Sequence, residues 1–288
     1  MTNSKYILAV FIFFNGTLFA QQESIDFEPD IKALNELGVQ IIGNKSDEEK
    51  AIVNKDYTAI LKALIAKEGS FEYNFKSLKT ISVLKAHDLK VYNWALPLGD
   101  GTYTYFAFLQ IKKSKTQFDI VSLTDKSDQV KSPENKILTA KNWYGALYHK
   151  LIYNKKIGQN YYTLLGWDGN NNLSNKKIID VINISGNGII KFGAPIFKTE
   201  KRTKRRVIFE YTKDAIMSLK YYPKTEKIVF NQLEPISSKL KGVYEYYAPT
   251  LKYFDAFTVE KGKWVIEKNT EITNEKSIKD EIWKDPKN

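Results

Sequence analysis

The sequence predicts a mostly β fold: an antiparallel meander of about thirteen strands, closed as a barrel or sandwich and preceded by one or two short α-helices. Three observations carry this. Short apolar runs rich in Tyr, Ile, Val and Leu recur from about residue 78 onward, separated by clusters of Asn, Gly, Lys and Ser. The densest array is Trp143–Phe197, with runs at 143–153, 161–167, 177–184 and 189–197. Before residue 70 the apolar spacing is helical instead.

Residues 1–20 stand apart. Lys5 is their only charge, Tyr6 to Phe14 is an unbroken apolar run, and Ala20 precedes the polar start at Gln21. A basic head, an apolar run of this length and a small residue before a polar start describe a secretory signal peptide. The run is too short to cross a hydrocarbon core of about 30 Å. The expectation is an exported protein, periplasmic or extracellular, with no transmembrane span after cleavage.

Residues 21–70 form a helical segment. Pro29-Asp30 opens a first helix through Ile31, Leu34 and Leu37, with Gly38 placed as its stop. Ser46 and Glu49 have capping-box spacing, and Ile52, Val53, Tyr57, Ile60, Leu61, Leu64 and Ile65 form an apolar stripe that Gly69 ends. Such helices are expected to cover a sheet edge or close a barrel.

The β-rich domain spans 71–273. Its first strands are expected at 79–85, 88–94, 102–110 and 117–123, with Gly99-Asp100-Gly101 as a reversal. The polar stretch 124–136 contains Pro133; a domain break at 124–140 and a loop within one sheet system are both open. Beyond the central array come strands at 205–211, 216–222 and 227–233, then a loop at 234–250 around Tyr244, Tyr246 and Tyr247. A hairpin, Tyr253–Glu260 with Lys263–Glu267, precedes a charged tail at 274–288 in which Trp283 is a docking point.

The runs ISVLKAHDLKVYNW, WYGALYHKLI, YYTLLGWDGNNNLSNKKIIDVI, FGAPIF and VIFEY resemble a family of exported β-rich proteins of Gram-negative bacteria with no assigned activity. GWDGNN and KKIIDV are the most specific part. The resemblance implies export and β architecture and carries over no catalytic residue.

Several chemistries are excluded. Without cysteine there is no disulfide, thiol nucleophile or zinc–thiolate site. Only His87 and His149 could serve a Ser–His pair, and no G-x-S-x-G elbow or phosphate-binding loop is present. His87 reads as a turn residue and His149 as a structural histidine inside a strand. No cofactor and no metal site are expected. Asp168, Asn170 and Asn172 imitate the start of a calcium loop, but Leu173 and Ile179 stand where that loop needs Gly and Glu. The segment reads as a strand reversal.

The formal net charge is +11, and residues 1–20 hold one lysine and no acid, leaving +10 beyond them. That excess suits an acidic partner such as a glycan or other anionic envelope polymer, or it is simply a solvated lysine-rich surface. Specific nucleic-acid readout lacks a recognition element. Candidate anion-binding residues are Lys201, Arg202, Lys204, Arg205 and Arg206 in the run 198–206. Candidate ligand-binding residues are Trp167, taken as an exposed aromatic beside the turn, with Asp168, Asn170 and Asn172. The function expected is a non-catalytic, envelope-associated binding or scaffold protein. The alternative is a glycan hydrolase using two of Asp168, Asp180, Glu210, Asp214, Glu245 and Asp255, acids beside aromatic-rich strands.

Overall fold

The computed structural model describes residues 25–114 and 117–270. The leader at 1–20 and the tail at 274–288, with Trp283, lie outside them. Helix α1 (Glu28–Ile42) carries Pro29 in its first turn. It runs through Gly38 rather than ending there. A Cβ on Gly38 would come within 2.0 Å of Thr80 Oγ1, so the glycine serves close packing, not termination. Helix α2 (Asp47–Ala66) has the complete capping box: Glu49 N donates to Ser46 Oγ and Ser46 N to Glu49 Oε2.

Strands β1 (Ser82–Ala86), β2 (Leu89–Pro97), β3 (Tyr103–Lys112) and β4 (Phe118–Thr124) form an antiparallel sheet in chain order. His87 sits in the β1–β2 reversal with φ of 50°. The helices cover a face of this sheet, not an edge. Leu34, Leu61 and Leu64 share a core with Tyr92, Trp94 and Phe108, large aromatics that need an apolar cover. Trp94 Nε1 donates to Asn54 Oδ1 at 2.7 Å, satisfying the one polar atom of that ring.

The second sheet contains β5 (Leu138–Thr139), β6 (Leu147–Tyr153), β7 (Tyr161–Asp168), β8 (Ser174–Ile184) and β9 (Ile190–Phe192), in the order β5-β9-β8-β7-β6. The short strands β10 (Phe197–Lys198) and β11 (Thr203–Lys204) then join a third sheet. β12 (Val207–Thr212) returns to pair with β8. The third sheet is completed by β13 (Leu219–Tyr222), β14 (Lys227–Pro235), β15 (Tyr247–Glu260) and β16 (Lys263–Glu267), ordered β11-β10-β16-β15-β14-β13.

The layers therefore run helices, first sheet, central sheet, third sheet. Alternation along the central strands fixes this order. On β7, Tyr162 and Leu164 enter the core shared with the first sheet, while Leu165 enters the core shared with the third. On β8, Ile178 and Ile182 face the first side, Ile179 and Val181 the other. A sheet covered on both faces is apolar at most positions on both sides, which is why these runs show no regular polar alternation.

The architecture is a layered sandwich, not a barrel. Sixteen strands lie among the described residues, because Leu138–Thr139 and Thr203–Lys204 add pairings and the run 189–197 divides into β9 and β10. One pairing, β10 with β16, is parallel. The stretch 124–140 carries the chain from the first sheet to the second. Asp125 pins it: Oδ2 accepts from Tyr105 N on β3 (3.0 Å), and Oδ1 accepts from Gly145 N (3.1 Å) and Ser127 N (3.0 Å).

Candidate functional site

The candidate site is a trough between β12 and the face of β14–β16. Two adjoining cavities of about 910 and 520 Å³ share Arg202, Lys204, Phe209, Phe230, Asp255 and Lys268. Phe209 is the partly open ring on the trough's floor, over the buried rings of Phe230 and Phe257. Phe209 on β12 lies 4.6 Å from Phe230 on β14, which lies 5.5 Å from Phe257 on β15, ring centre to ring centre. Tyr144, Tyr244 and Tyr247 line the larger cavity. β12 brings Phe209 there because it extends the central sheet beyond β8 and lies across the third.

The rim is a set of mutually neutralised charges. Glu134, from the 127–135 loop, accepts from Lys204 Nζ (2.7 Å), Ile208 N (3.1 Å) and Arg202 Nη2 (3.4 Å). Asp255 accepts from Gln232 Nε2 (2.7 Å), Lys268 Nζ (2.8 Å) and Asn269 N (3.1 Å). Glu210 accepts from Ser174 Oγ (2.7 Å) and Asn170 Nδ2 (3.2 Å). Lys176 donates to Asn170 Oδ1 at 2.7 Å. The 198–206 run and the aromatic loop near 244–247 thus meet at one trough, and the 167–175 turn touches it only through Glu210 and Lys176.

The residues proposed from sequence divide between this trough and the interior. Arg202 and Lys204 are on its rim and Lys201 stands at the outer end of the smaller cavity. Arg205 is half-buried, its backbone N donating to Glu134 O. Arg206 is wholly buried: Nε lies 2.8 Å from Asp180 Oδ2, Nη1 donates to Pro133 O at 2.7 Å, and the guanidinium lies over the Tyr144 ring. It holds the core together and cannot receive a solvent anion. The end of a basic run is here the first turn of the chain into an internal strand, and the sequence pattern does not mark that change.

Trp167 is also corrected. It is 1% exposed and packs edge-on to Tyr103, because β7 continues to Asp168 within a sheet covered on both faces. Asp168 is buried and accepts from Tyr105 Oη (2.9 Å) and Asn170 N (2.8 Å). Burial pushes its carboxyl above the ordinary aspartate value, with Lys176 nearby pulling the other way. Asn170 has φ of 44° and makes the reversal. Asn172 leaves the trough altogether, donating to Asp100 O on the first sheet's turn at 2.9 Å. Of the oxygens that imitate a calcium loop, Asp168 Oδ1 is taken by Tyr105 and Asn170 N, and Asn170 Oδ1 by Lys176. No cluster of three or more His, Cys, Asp or Glu occurs among the described residues.

Of the other acids, Asp180 is in the buried pair, Glu210 and Asp255 line the trough, and Asp214 and Glu245 lie in turns. His149 lies in β6 with Nε2 against Leu219 O at 3.4 Å. Glu134, Phe209 and Phe230 were missed: a glutamate in a polar loop and phenylalanines in strands carry no local mark of a site. No family model matches the chain, and no curated protein or solved structure was found to resemble it.

Proposed function

We propose that the protein is an exported, non-catalytic binding module whose ligand lies along the trough, and that this ligand is a glycan chain. The observation that supports the reading is the trough's make-up, the partly open Phe209 shared by both cavities and Tyr244 and Tyr247 beside it, under a rim of polar groups that hold one another in place. Aromatic faces suit the apolar faces of sugar rings, and a polar rim fixed in advance loses little freedom on binding. A strongly anionic polymer suits it less well, because Arg202, Lys204 and Lys268 are already engaged by Glu134 and Asp255.

The hydrolase alternative rests on Glu210 and Asp255 lining the same cavity. Each already accepts from two or three donors, whereas a glycosidase needs one carboxyl in an environment that keeps it protonated. Titration of the labelled protein with soluble oligosaccharides, followed by amide NMR, tests the proposal. Shifts should centre on β12 and residues 230–233. Tyr244→Ala, at a half-exposed rim position, should weaken binding about fivefold, the loss of one aromatic contact of about 1 kcal/mol. No shift with any oligosaccharide would sink the glycan reading. Reducing ends released by wild type but not by Glu210→Gln would establish the hydrolase.

A further inference from the structure

The β14–β15 ribbon behaves differently from the sheet it belongs to. β13 pairs with β14 only over Lys227–Phe230, and β16 pairs with β15 only over Ala256–Glu260. Between 232 and 253 the ribbon therefore has neither sheet neighbour; one side of this arm lies against β12, where Tyr244 and Tyr247 line the trough, and no residue from Gln232 to Phe254 is buried.

This arm nevertheless carries a concentration of apolar side chains. Leu251 is 89% exposed, and Ile236, Tyr244 and Tyr253 are each more than half exposed, with Val243 close behind. Leu251 is not on a loose end. Register passes from Asn231↔Phe254 to Leu233↔Pro249, so Thr250–Tyr253 bulge out opposite Gln232 alone. The bulge is closed by Tyr253 N donating to Thr250 Oγ1 (3.3 Å), Thr250 Oγ1 donating to Tyr253 O (2.9 Å) and Asn231 Nδ2 donating to Thr250 O (2.8 Å). A tied bulge that aims a leucine into water gains nothing for the fold. Interleaved with these side chains are exposed Lys239, Lys241 and Lys252, against one acid, Glu245, between Ile236 and Tyr253.

We propose that the outer side of this arm docks on the surface of an anionic phospholipid bilayer. Leu251, Tyr253, Ile236 and Val243 enter the boundary between headgroups and acyl chains, and Lys239, Lys241 and Lys252 lie against the lipid phosphates. Exposed apolar side chains alternating along the chain with exposed lysines match an interface that is apolar below and negative above. A protein partner would instead call for a flat or concave apolar face with a polar rim. The inference is independent of the trough reading, since these four apolar residues do not line either cavity.

The test is co-sedimentation with vesicles of phosphatidylcholine alone or mixed with phosphatidylglycerol, at low and high salt, with residues 1–20 treated alike in every arm. Wild type should pellet with the anionic vesicles and much less with the neutral ones. Ile236→Ser/Val243→Ser/Leu251→Ser/Tyr253→Ser should lower partitioning about tenfold or more. Lys239→Gln/Lys241→Gln/Lys252→Gln should lose the salt-sensitive share. Both variants change exposed residues, and an unchanged urea midpoint shows that they fold. Absence of wild-type binding to anionic vesicles, or equal binding by the apolar variant, overturns the proposal. So does wild type dimerising without lipid while the apolar variant stays monomeric, which would make the arm a contact between copies.

Discussion

Removing one member of the Arg206–Asp180 pair should be among the most damaging single changes to this fold. Both side chains are fully buried and the contact is 2.8 Å, which at an effective dielectric of 20 corresponds to about 6 kcal/mol of attraction. Much of that offsets the cost of taking both ions out of water, so the informative quantity is the effect of stranding one. In Arg206→Met the carboxylate keeps only Val181 N at 2.7 Å and a long contact from Tyr148 Oη at 3.4 Å. A loss of about 3–5 kcal/mol is expected at pH 7. Proton uptake by the stranded carboxyl limits it, since neutralising an ordinary aspartate at that pH takes about 4 kcal/mol. Asp180→Asn should cost less, because Arg206 still donates to Pro133 O and lies over Tyr144. Urea unfolding of both single variants and of the double variant measures the coupling. The double should be clearly less destabilised than the sum of the singles. An Arg206→Met loss under about 1 kcal/mol, or strict additivity, would refute the view that these groups depend on each other.

Burial, aided by Lys177, pulls the His149 imidazole down to about 4. The unfolded chain then binds a proton that the native chain does not as pH falls from 6.5 to 4, so stability should decline by about 3 kcal/mol across that window and level off below it. His149→Gln should flatten this part of the urea-derived profile; parallel wild-type and variant curves would count against it. Gly38→Ala should destabilise by about 1–3 kcal/mol despite alanine's better helix propensity, because its Cβ meets Thr80, and a raised melting temperature would contradict this. Ser46→Ala removes the α2 cap and should cost about 1 kcal/mol in thermal or urea unfolding, with no measurable change arguing against the capping role. Mass spectrometry of the protein recovered from cells should show a start at Gln21, and a chain retaining Tyr6–Phe14 would overturn the leader reading.

Much of the architecture was legible because the relevant forces are local. The capping box at Ser46 and Glu49, the helical stripe ending near Ile65 and the turns at His87 and Asn170 act within a few residues, and each stands where the pattern put it. The central array was legible for a different reason. Burying both faces of β7 and β8 calls for runs that are mostly apolar, and YYTLLGW and IIDVI are such runs, with Asp180 taken up by Arg206. The same property misplaced Trp167: beside a turn but within a doubly covered strand, it follows the strand. Gly38 misled similarly, since a helix stop and a close contact both call for glycine, and only Thr80, across the fold, decides between them.

The trough was illegible because no part of it is local. Glu134, Phe209, Phe230 and Asp255 come from four separated segments, and what joins them is the return of β12 to the edge of β8 after β10 and β11 have joined the third sheet. The run 198–206 shows the difficulty within nine residues. Lys201 faces solvent, Arg202 and Lys204 lock onto Glu134, and Arg206 turns inward to Asp180. Charge content alone does not separate these fates, because each depends on whether an acid from a distant segment arrives within reach. The same dependence bears on function. A basic run that has met its acids is part of the scaffold, and under the proposed reading a ligand would meet Phe209, Tyr244 and Tyr247 instead.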